Sequence, residues 1–187
     1  MVTVSMFIVC DVNIASSSEF AWGTNAFTLE FWFNPGSGAI SGTATLLDQR
    51  ENATEVAVRV YLEAAQIRYN VNGSDLVTSG ATTVNNNTWY HLAIVRSSTT
   101  TKLWLNGAEV GTGTDSSNFA AKPIRVGADY AGSNEFEGYI DELRVSTTNR
   151  YTSAFNVATG IHQGDTNSKL LVHFDGSNGQ TYTEDWS

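Results

Sequence analysis

Carboxylates that could act as acid, base or nucleophile lie close together late in the sequence, at Glu137, Asp141 and Glu142. Glycoside hydrolysis with retention needs two carboxyl groups about 5–5.5 Å apart. The spacing here does not fit that chemistry in a strand, because adjacent strand residues point to opposite faces. The three histidines are too scattered in the sequence to suggest a triad, and Cys10 has no base near it. We therefore predict no catalytic residues and a protein that is not an enzyme.

Tryptophan rings and one carboxylate offer a different chemistry, the binding of sugars. Trp104, Trp32 and Glu30 alternate with apolar residues, which places them on the outward faces of strands. A ring can stack on the apolar face of a sugar, and an outward Trp is costly unless it is covered or used. We predict that these three residues contribute to a carbohydrate site. The alternative is that a neighbouring loop covers the rings.

The remaining tryptophans are interpreted as core or edge packing; they are Trp22, Trp89 and Trp186. Polar loops could form the rim of a binding site, since loops positioned by a rigid scaffold often carry function. These loops are Gly36–Gly42, Gly111–Asn118 and Asp129–Asn134.

Composition limits the class of protein and partner. The chain has 187 residues, a formal net charge of −9 and 16% charged residues. Nucleic acid and anionic membrane are poor partners for an acidic chain, whereas cations and neutral ligands remain compatible. Its one cysteine, Cys10, excludes an internal disulfide, and no apolar run reaches the about 18 residues of a membrane span. Residues 1–10 lack the basic start of a secretory signal, so we interpret them as a first strand.

The elements that must position these residues are strands, because apolar residues recur with a period of two. Alternation is clear at Phe27–Phe33, Val56–Leu62 and Ile67–Val71. The segment Trp89–Val95 is apolar on both faces, which predicts a central strand. Further strands are predicted at Pro123–Gly127, Phe136–Val145 and Lys169–Phe174. The segment Thr147–Gly160 is predicted to be a loop with one short helical turn.

One hairpin is predicted in detail. Asn106-Gly107 favours the left-handed angles of a type I′ turn between two strands. A two-residue loop sets Leu105 opposite Ala108 and Leu103 opposite Val110, all on one face. The other face then carries Lys102, Trp104 and Glu109.

Four blocks of sequence resemble the laminin-G-like, concanavalin-A-like lectin/glucanase superfamily. They occur in the family's order and are Phe27–Phe33, Trp89–Arg96, Lys102–Gly107 and Phe136–Val145. The resemblance implies an all-β, antiparallel two-sheet jelly-roll sandwich, and we assign residues 1–187 to a single domain of this type. Phe31 and Leu105 are expected in its core.

The resemblance also bears on hydrolysis and on metal. Hydrolases of this fold carry the pattern Glu-x-Asp-x-x-Glu on one strand, and no segment here fits it. Asp141 matches a late-strand residue that supplies one ligand to a structural Ca²⁺ in related glucanases, so a possible Ca²⁺ cofactor is expected there. The alternative is that Asp141 bonds a loop amide or Arg144.

Two further segments are similar to repeat domains of marine bacteriophage structural proteins; they are Arg150–Phe155 and Leu170–Gly176. These resemblances imply a non-catalytic, lectin-like adhesion module on a virion or other extracellular surface, binding a cell-surface glycan and other assembly proteins. We expect a homo-oligomer that does not bind nucleic acid or insert in a membrane. The alternatives are a structural decoration or fibre domain with protein partners only and, third, a glycoside hydrolase.

Overall fold

The computed structural model describes residues 11–81 and 83–174, together with the backbone of residues 7–8. Thirteen strands are found in this part of the chain, and its helical structure is one 3-10 turn at Ser18–Phe20. The strands are β1 Phe7–Ile8, β2 Val12–Ile14, β3 Phe27–Pro35, β4 Thr43–Asp48, β5 Val58–Glu63, β6 Gln66–Val71, β7 Ser74–Thr78, β8 Tyr90–Ser97, β9 Thr100–Leu105, β10 Ala108–Thr114, β11 Ile124–Val126, β12 Gly138–Ser146 and β13 Ser168–Val172.

The strands form two antiparallel sheets, as the all-β jelly-roll prediction requires. The first has the order β1-β12-β3-β8-β9-β10, with β13 also paired to β12. The second has the order β2-β11-β4-β5-β6-β7. The segment predicted to be a central strand is β8, which lies between β3 and β9.

The core lies between the sheets and follows from the period of two. Inward residues of β3 and their partners in the second sheet belong to one continuous apolar cluster. Phe31 is 1% exposed and Leu105 is 7% exposed, so both are core residues as predicted. The prediction fails at Val56, which is 42% exposed because β5 begins only at Val58.

The Asn106-Gly107 hairpin is confirmed, with a correction to its register. Both turn residues have positive φ, 49° and 80°, as a type I′ turn requires. A β-bulge between Glu109 and Gly111 sets Leu103 opposite Gly111 rather than Val110. Lys102 lies opposite Thr112, and its Nζ is 2.7 Å from the carboxylate of Glu109 on the same face.

Two other expectations concern the ends of the chain and its long loop. Residues 147–160 form a loop, as predicted, but without the helical turn. In the predicted first strand, residues 7–8 pair with β12, and the other residues up to Cys10 lie outside the described residues. Among the described residues, no helix is long and apolar enough to cross a membrane.

Candidate functional site

The outer face of the seven-stranded sheet carries the residues that the sequence singled out. A segment of residues 147–162, here called the covering segment, lies across half of this face. Two of its main-chain amides hold it to the sheet by hydrogen bonds. Arg150 N donates to Thr28 Oγ1 at 3.0 Å, and Phe155 N donates to the Gly107 carbonyl at 3.1 Å. The face is therefore divided into a covered half and an open half.

Aromatic packing holds the covering segment down. Tyr151 and Phe155 stack on each other with centroids 3.6 Å apart and nearly parallel rings. Both pack against Ala93, Val95 and Trp104 of the sheet. Trp104 points outward as predicted but is only 2% exposed, because Phe155 lies over it at 5.9 Å.

A buried carboxylate lies at the centre of the covered half. Glu30 is fully buried and is bonded by the Arg144 guanidinium, with Nε at 2.9 Å from Oε1, and by the Tyr151 hydroxyl at 2.7 Å from Oε2. Burial alone would raise the pKa of Glu30. Because His91, His162, Arg144 and Tyr151 surround the carboxylate, its pKa is instead lowered to about 2. Glu30 is therefore ionised at neutral pH.

A β-bulge in β12 places Arg144 opposite Glu30. The register shifts by one residue between Asp141, which faces Trp32, and Arg144, which faces Glu30. The extra residue re-aims the strand, so that Leu143 enters the core while Arg144 reaches the outer face. Glu142 in the bulge takes the unusual backbone angle φ 55°.

All three histidines of the chain converge on this site, which the sequence analysis did not foresee. His91 Nε2 lies 3.3 Å from Glu30 Oε2, and His162 Nε2 lies 3.9 Å from the same atom. Glu142 contacts His162 and His173. Its main-chain carbonyl oxygen is 3.0 Å from His162 Nδ1, and its Oε1 is 2.8 Å from His173 Nδ1. Burial lowers the pKa of His162 to about 4, so its ring is neutral at pH 7.

Glu30, His91 and His162 each offer a ligand atom within 4.8 Å of the others. Among the described residues, this is the one group of His, Cys and carboxylate side chains close enough to hold a metal ion. Asp141, the residue expected to bind Ca²⁺, is not part of it. Asp141 is 3% exposed, and its Oδ1 accepts the main-chain amide of Glu142 at 2.8 Å.

The open half of the face carries an uncharged row that we call the aromatic ledge: Trp32, Asn34, Trp89 and Tyr139. Tyr139 lies opposite Asn34 in the sheet, and its ring is 5.9 Å from that of Trp89. Trp32, two residues before Asn34, is half-buried against His91. Tyr139 is 36% exposed, one of the most exposed large apolar residues described.

The predicted carbohydrate residues are thus separated by the covering segment. Glu30 and Trp104 cannot line an open surface, which corrects that prediction for both, because neither is more than 2% exposed. Trp32 is part of the aromatic ledge. Trp89, interpreted from the sequence as packing, is half-buried and belongs to the ledge as well. The predicted packing role is confirmed for Trp22, which is 2% exposed, whereas Trp186 lies outside the described residues.

A polar cleft of about 240 Å³ opens beside the second sheet. The guanidinium of Arg50 donates three hydrogen bonds to the Asp48 carboxylate, at 2.7, 2.9 and 3.2 Å, and lies 5.1 Å from the Tyr130 ring centre. Arg125, which pairs with Asp48 in the sheet, and Asn13 also line the cleft. The cleft includes the start of the predicted rim loop Asp129–Asn134.

The sequence matches one protein family over most of its length. Residues 11–158 match the laminin-G family model described as "Concanavalin A-like lectin/glucanases superfamily". No curated protein matches the sequence.

Many solved structures share the fold, among them the following three. A candidate carbohydrate-binding protein from Bacteroides ovatus ATCC 8483 has a TM-score of 0.70 and 17% identity, over 96% of this chain and 56% of that one. The CBM40 module of the Ruminococcus gnavus IT-sialidase, bound to alpha2,3 sialyllactose, has a TM-score of 0.58 and 12% identity, over 82% and 91%. Domains LG4-5 of the mouse laminin alpha1 chain have a TM-score of 0.52 and 17% identity, over 84% and 48%. The chain therefore spans about half the length of the Bacteroides and laminin structures.

Proposed function

Since the chain belongs to the concanavalin A-like lectin/glucanases superfamily, we propose that it is a lectin-like carbohydrate-binding module without catalytic activity of its own. The observation that carries this proposal is the aromatic ledge on the open half of the seven-stranded sheet. The fold alone does not decide function, because the same sandwich hosts binding and hydrolytic proteins. The names of the Bacteroides and Ruminococcus structures add support for binding.

The aromatic ledge has the chemistry that a neutral sugar needs. Trp89 and Tyr139 lie side by side with part of their surfaces accessible, which allows stacking on the C–H face of a pyranose. Asn34 lies opposite Tyr139 in the sheet, and its amide supplies both donors and an acceptor for hydroxyl groups. Trp32 extends the row toward the covering segment.

Two of the buried carboxylates, Glu30 and Glu142, support binding rather than hydrolysis as the role of this face. Glu30 is held ionised by Arg144 and covered by Tyr151, so it can neither donate a proton at neutral pH nor reach a substrate. Glu142 is bonded to His162 and His173 and is 2% exposed. Neither group is available as the acid or nucleophile of a glycosidase.

A single ledge should bind weakly, with a dissociation constant in the micromolar to millimolar range, because few groups are buried by one sugar. Repeated copies raise avidity by about 10²–10⁴ without new contacts. We therefore propose that the module acts as a homo-oligomer or as repeated copies on a virion or other extracellular surface. The resemblance of Arg150–Phe155 to phage structural repeats motivates this setting.

The test is a glycan array followed by calorimetry on single variants. Trp89→Ala and Tyr139→Ala should each weaken binding of an array hit at least about 10-fold, because each removes a stacking ring. Tyr130→Ala in the polar cleft is the matched control and should bind like the wild type. Loss of binding in the control alone would move the site to the cleft. No glycan hit at all would favour a structural module with protein partners only.

A structural Ca²⁺ bound with the help of Asp141 is a separate part of the proposal. Asp141 lies buried at the β12 bulge, where its carboxylate already accepts one main-chain amide. A bound ion stabilises the folded state by mass action. Thermal melts in excess calcium and in chelator should therefore differ for the wild type and coincide for Asp141→Asn. Identical wild-type melts would reject the calcium site.

A further inference from the structure

We propose that Glu30, His91 and His162 form a buried binding site for a divalent transition-metal ion of the zinc class. Glu30 Oε2 lies 3.3 Å from His91 Nε2 and 3.9 Å from His162 Nε2. Two ligands of a tetrahedral zinc ion, at bond lengths of about 2.0–2.2 Å, lie about 3.3–3.5 Å from each other. The Glu30–His91 distance matches this spacing, the Glu30–His162 distance exceeds it by about 0.4 Å, and all three donor atoms lie within 4.8 Å of one another.

The unpaired ring nitrogens of His91 are a second, independent observation that points to a ligand at this site. The side chain is 1% exposed, yet neither of its ring nitrogens makes a hydrogen bond. At 3.3 Å from Glu30, Nε2 lacks the alignment of a hydrogen bond. A buried polar atom without a partner destabilises the folded state. Coordination to a metal would satisfy the nitrogen that points at the carboxylate.

His162 is oriented in the way that metal-bound histidines usually are. Its Nδ1 lies 3.0 Å from the carbonyl oxygen of Glu142, so a proton on Nδ1 leaves the lone pair of Nε2 directed at Glu30. A backbone carbonyl in this position fixes the tautomer and increases the basicity of the ligand nitrogen.

Arg144 lies close but leaves a carboxylate oxygen for the metal. Its guanidinium bonds Oε1 of Glu30, with contacts of 2.7 and 2.9 Å, whereas both imidazoles approach Oε2. The Tyr151 hydroxyl donates one hydrogen bond to Oε2 at 2.7 Å, so a second lone pair of this oxygen remains for the ion. The charges around the site favour a cation overall: Glu30, Glu142 and Asp165 outnumber Arg144 and Arg150.

The chemical types of the three ligands indicate which class of ion would bind, and their positions in the fold indicate what binding would do. Two imidazoles and one carboxylate suit zinc and its neighbours, whereas calcium prefers six to eight oxygens. Glu30 and His91 belong to the sheet, but His162 belongs to the covering segment. A bound ion would therefore fasten the covering segment to the sheet.

The experiment titrates chelator-treated protein with Zn²⁺ by calorimetry and with Co²⁺ by visible absorption. The wild type should bind one equivalent, and Co²⁺ should give the intense bands of a four-coordinate site. His91→Gln and His162→Gln should each weaken Zn²⁺ binding more than the about 10–100-fold typical of losing an outer-shell partner. His173→Gln removes a histidine that contacts Glu142 rather than the donor atoms and should stay within about 10-fold of the wild type.

Folding of each variant is checked by circular dichroism, and the wild-type Co²⁺ spectrum tests the site without any variant. Limited proteolysis gives a second readout, because Zn²⁺ should slow cleavage within residues 147–162 of the wild type but not of His162→Gln. Absence of stoichiometric binding by the wild type would overturn the proposal. Unchanged binding in His91→Gln and His162→Gln, or an equal loss in His173→Gln, would overturn it too.

Discussion

Glu30 and Arg144 form an ion pair in a place where charge is expensive. The Glu30 side chain is fully buried and that of Arg144 is 11% exposed. Desolvation of such a pair can cancel its attraction, but removing one partner leaves the other charge buried without compensation. The pair itself therefore adds little to the free energy of unfolding, but removing one partner should lower that free energy strongly.

We predict that Arg144→Met lowers the free energy of unfolding by about 3–5 kcal/mol, because Glu30 is left buried and ionised. The matched control is Arg68→Met, whose ion pairs with Asp75 and Glu63 are partly exposed and should be worth about 0–1 kcal/mol. Urea denaturation measures both. Equal, small losses would mean that the covered half of the sheet admits water.

His162 makes the stability of the metal-free protein depend on pH. Burial lowers its pKa from 6.5 to about 4, so between these values the unfolded chain binds a proton that the native protein does not. The stability contribution is complete above pH 6.5 and is lost as the pH falls toward 4, by about 3 kcal/mol. Urea melts in chelator at pH 7 and 4.5 should show this loss in the wild type, and His162→Gln should flatten it. If His162→Gln lost as much stability between pH 7 and 4.5 as the wild type, the pH dependence would come from other groups.

At the scale of elements, the covering segment depends on one glycine of the β9–β10 hairpin. A Cβ atom at Gly107 would lie 1.9 Å from the carbonyl oxygen of Phe155. Gly107 also has φ 80°, as the turn requires. The hairpin and the covering segment can therefore pack together only when this position lacks a side chain.

We predict that Gly107→Ala destabilises the protein more than Gly73→Ala. Gly73 has a similar angle, φ 75°, in the Asn72-Gly73 turn between β6 and β7, but its nearest neighbour would be 3.7 Å from a Cβ. Both variants carry turn strain of about 1–3 kcal/mol, so the difference reports the contact with Phe155. Urea melts give the two losses, and proteolysis should cut the covering segment faster in Gly107→Ala. Equal losses would show that only the turn conformation matters.

Strands and the Asn106-Gly107 turn could be predicted because their signals are local. Alternation in Phe27–Phe33 fixes which side chains enter the core, and it placed Phe31 correctly. The bulges at Glu109–Gly111 and Asp141–Arg144 could not be predicted, since they depend on tertiary contacts rather than on a pattern.

The candidate site was less predictable than the fold for a similar reason. The outward direction of Trp104 and Glu30 follows from the strand period, but their burial comes from a segment more than 40 residues later in the chain. His162 approaches Glu30 across 132 positions of sequence, so spacing gives no hint of their contact. The strand period also places Trp32 on the outer face, where it belongs to the aromatic ledge, and its role in sugar binding stays a prediction.

At the scale of the whole molecule, the formal charge of −9 is absent from the aromatic ledge, whose side chains are all uncharged. Stacking and neutral hydrogen bonds are not screened by salt, whereas long-range attraction is. We predict that the dissociation constant for an array-identified neutral glycan changes less than about 2-fold between 50 and 500 mM NaCl. Calorimetry measures this, and a steep dependence on salt would indicate that charged groups such as those of the polar cleft make the contact.

The most direct test of glycan binding by the aromatic ledge uses the indole N–H signals of the five tryptophans. These signals are resolved in a nitrogen–proton correlation spectrum and assigned with single Trp→Phe variants. Titration with a glycan identified on the array should shift the signals of Trp32 and Trp89 in proportion to occupancy. Those of Trp22 and Trp104, buried at 2% exposure, should stay in place. A titration that saturates while Trp32 and Trp89 remain unchanged would contradict the account.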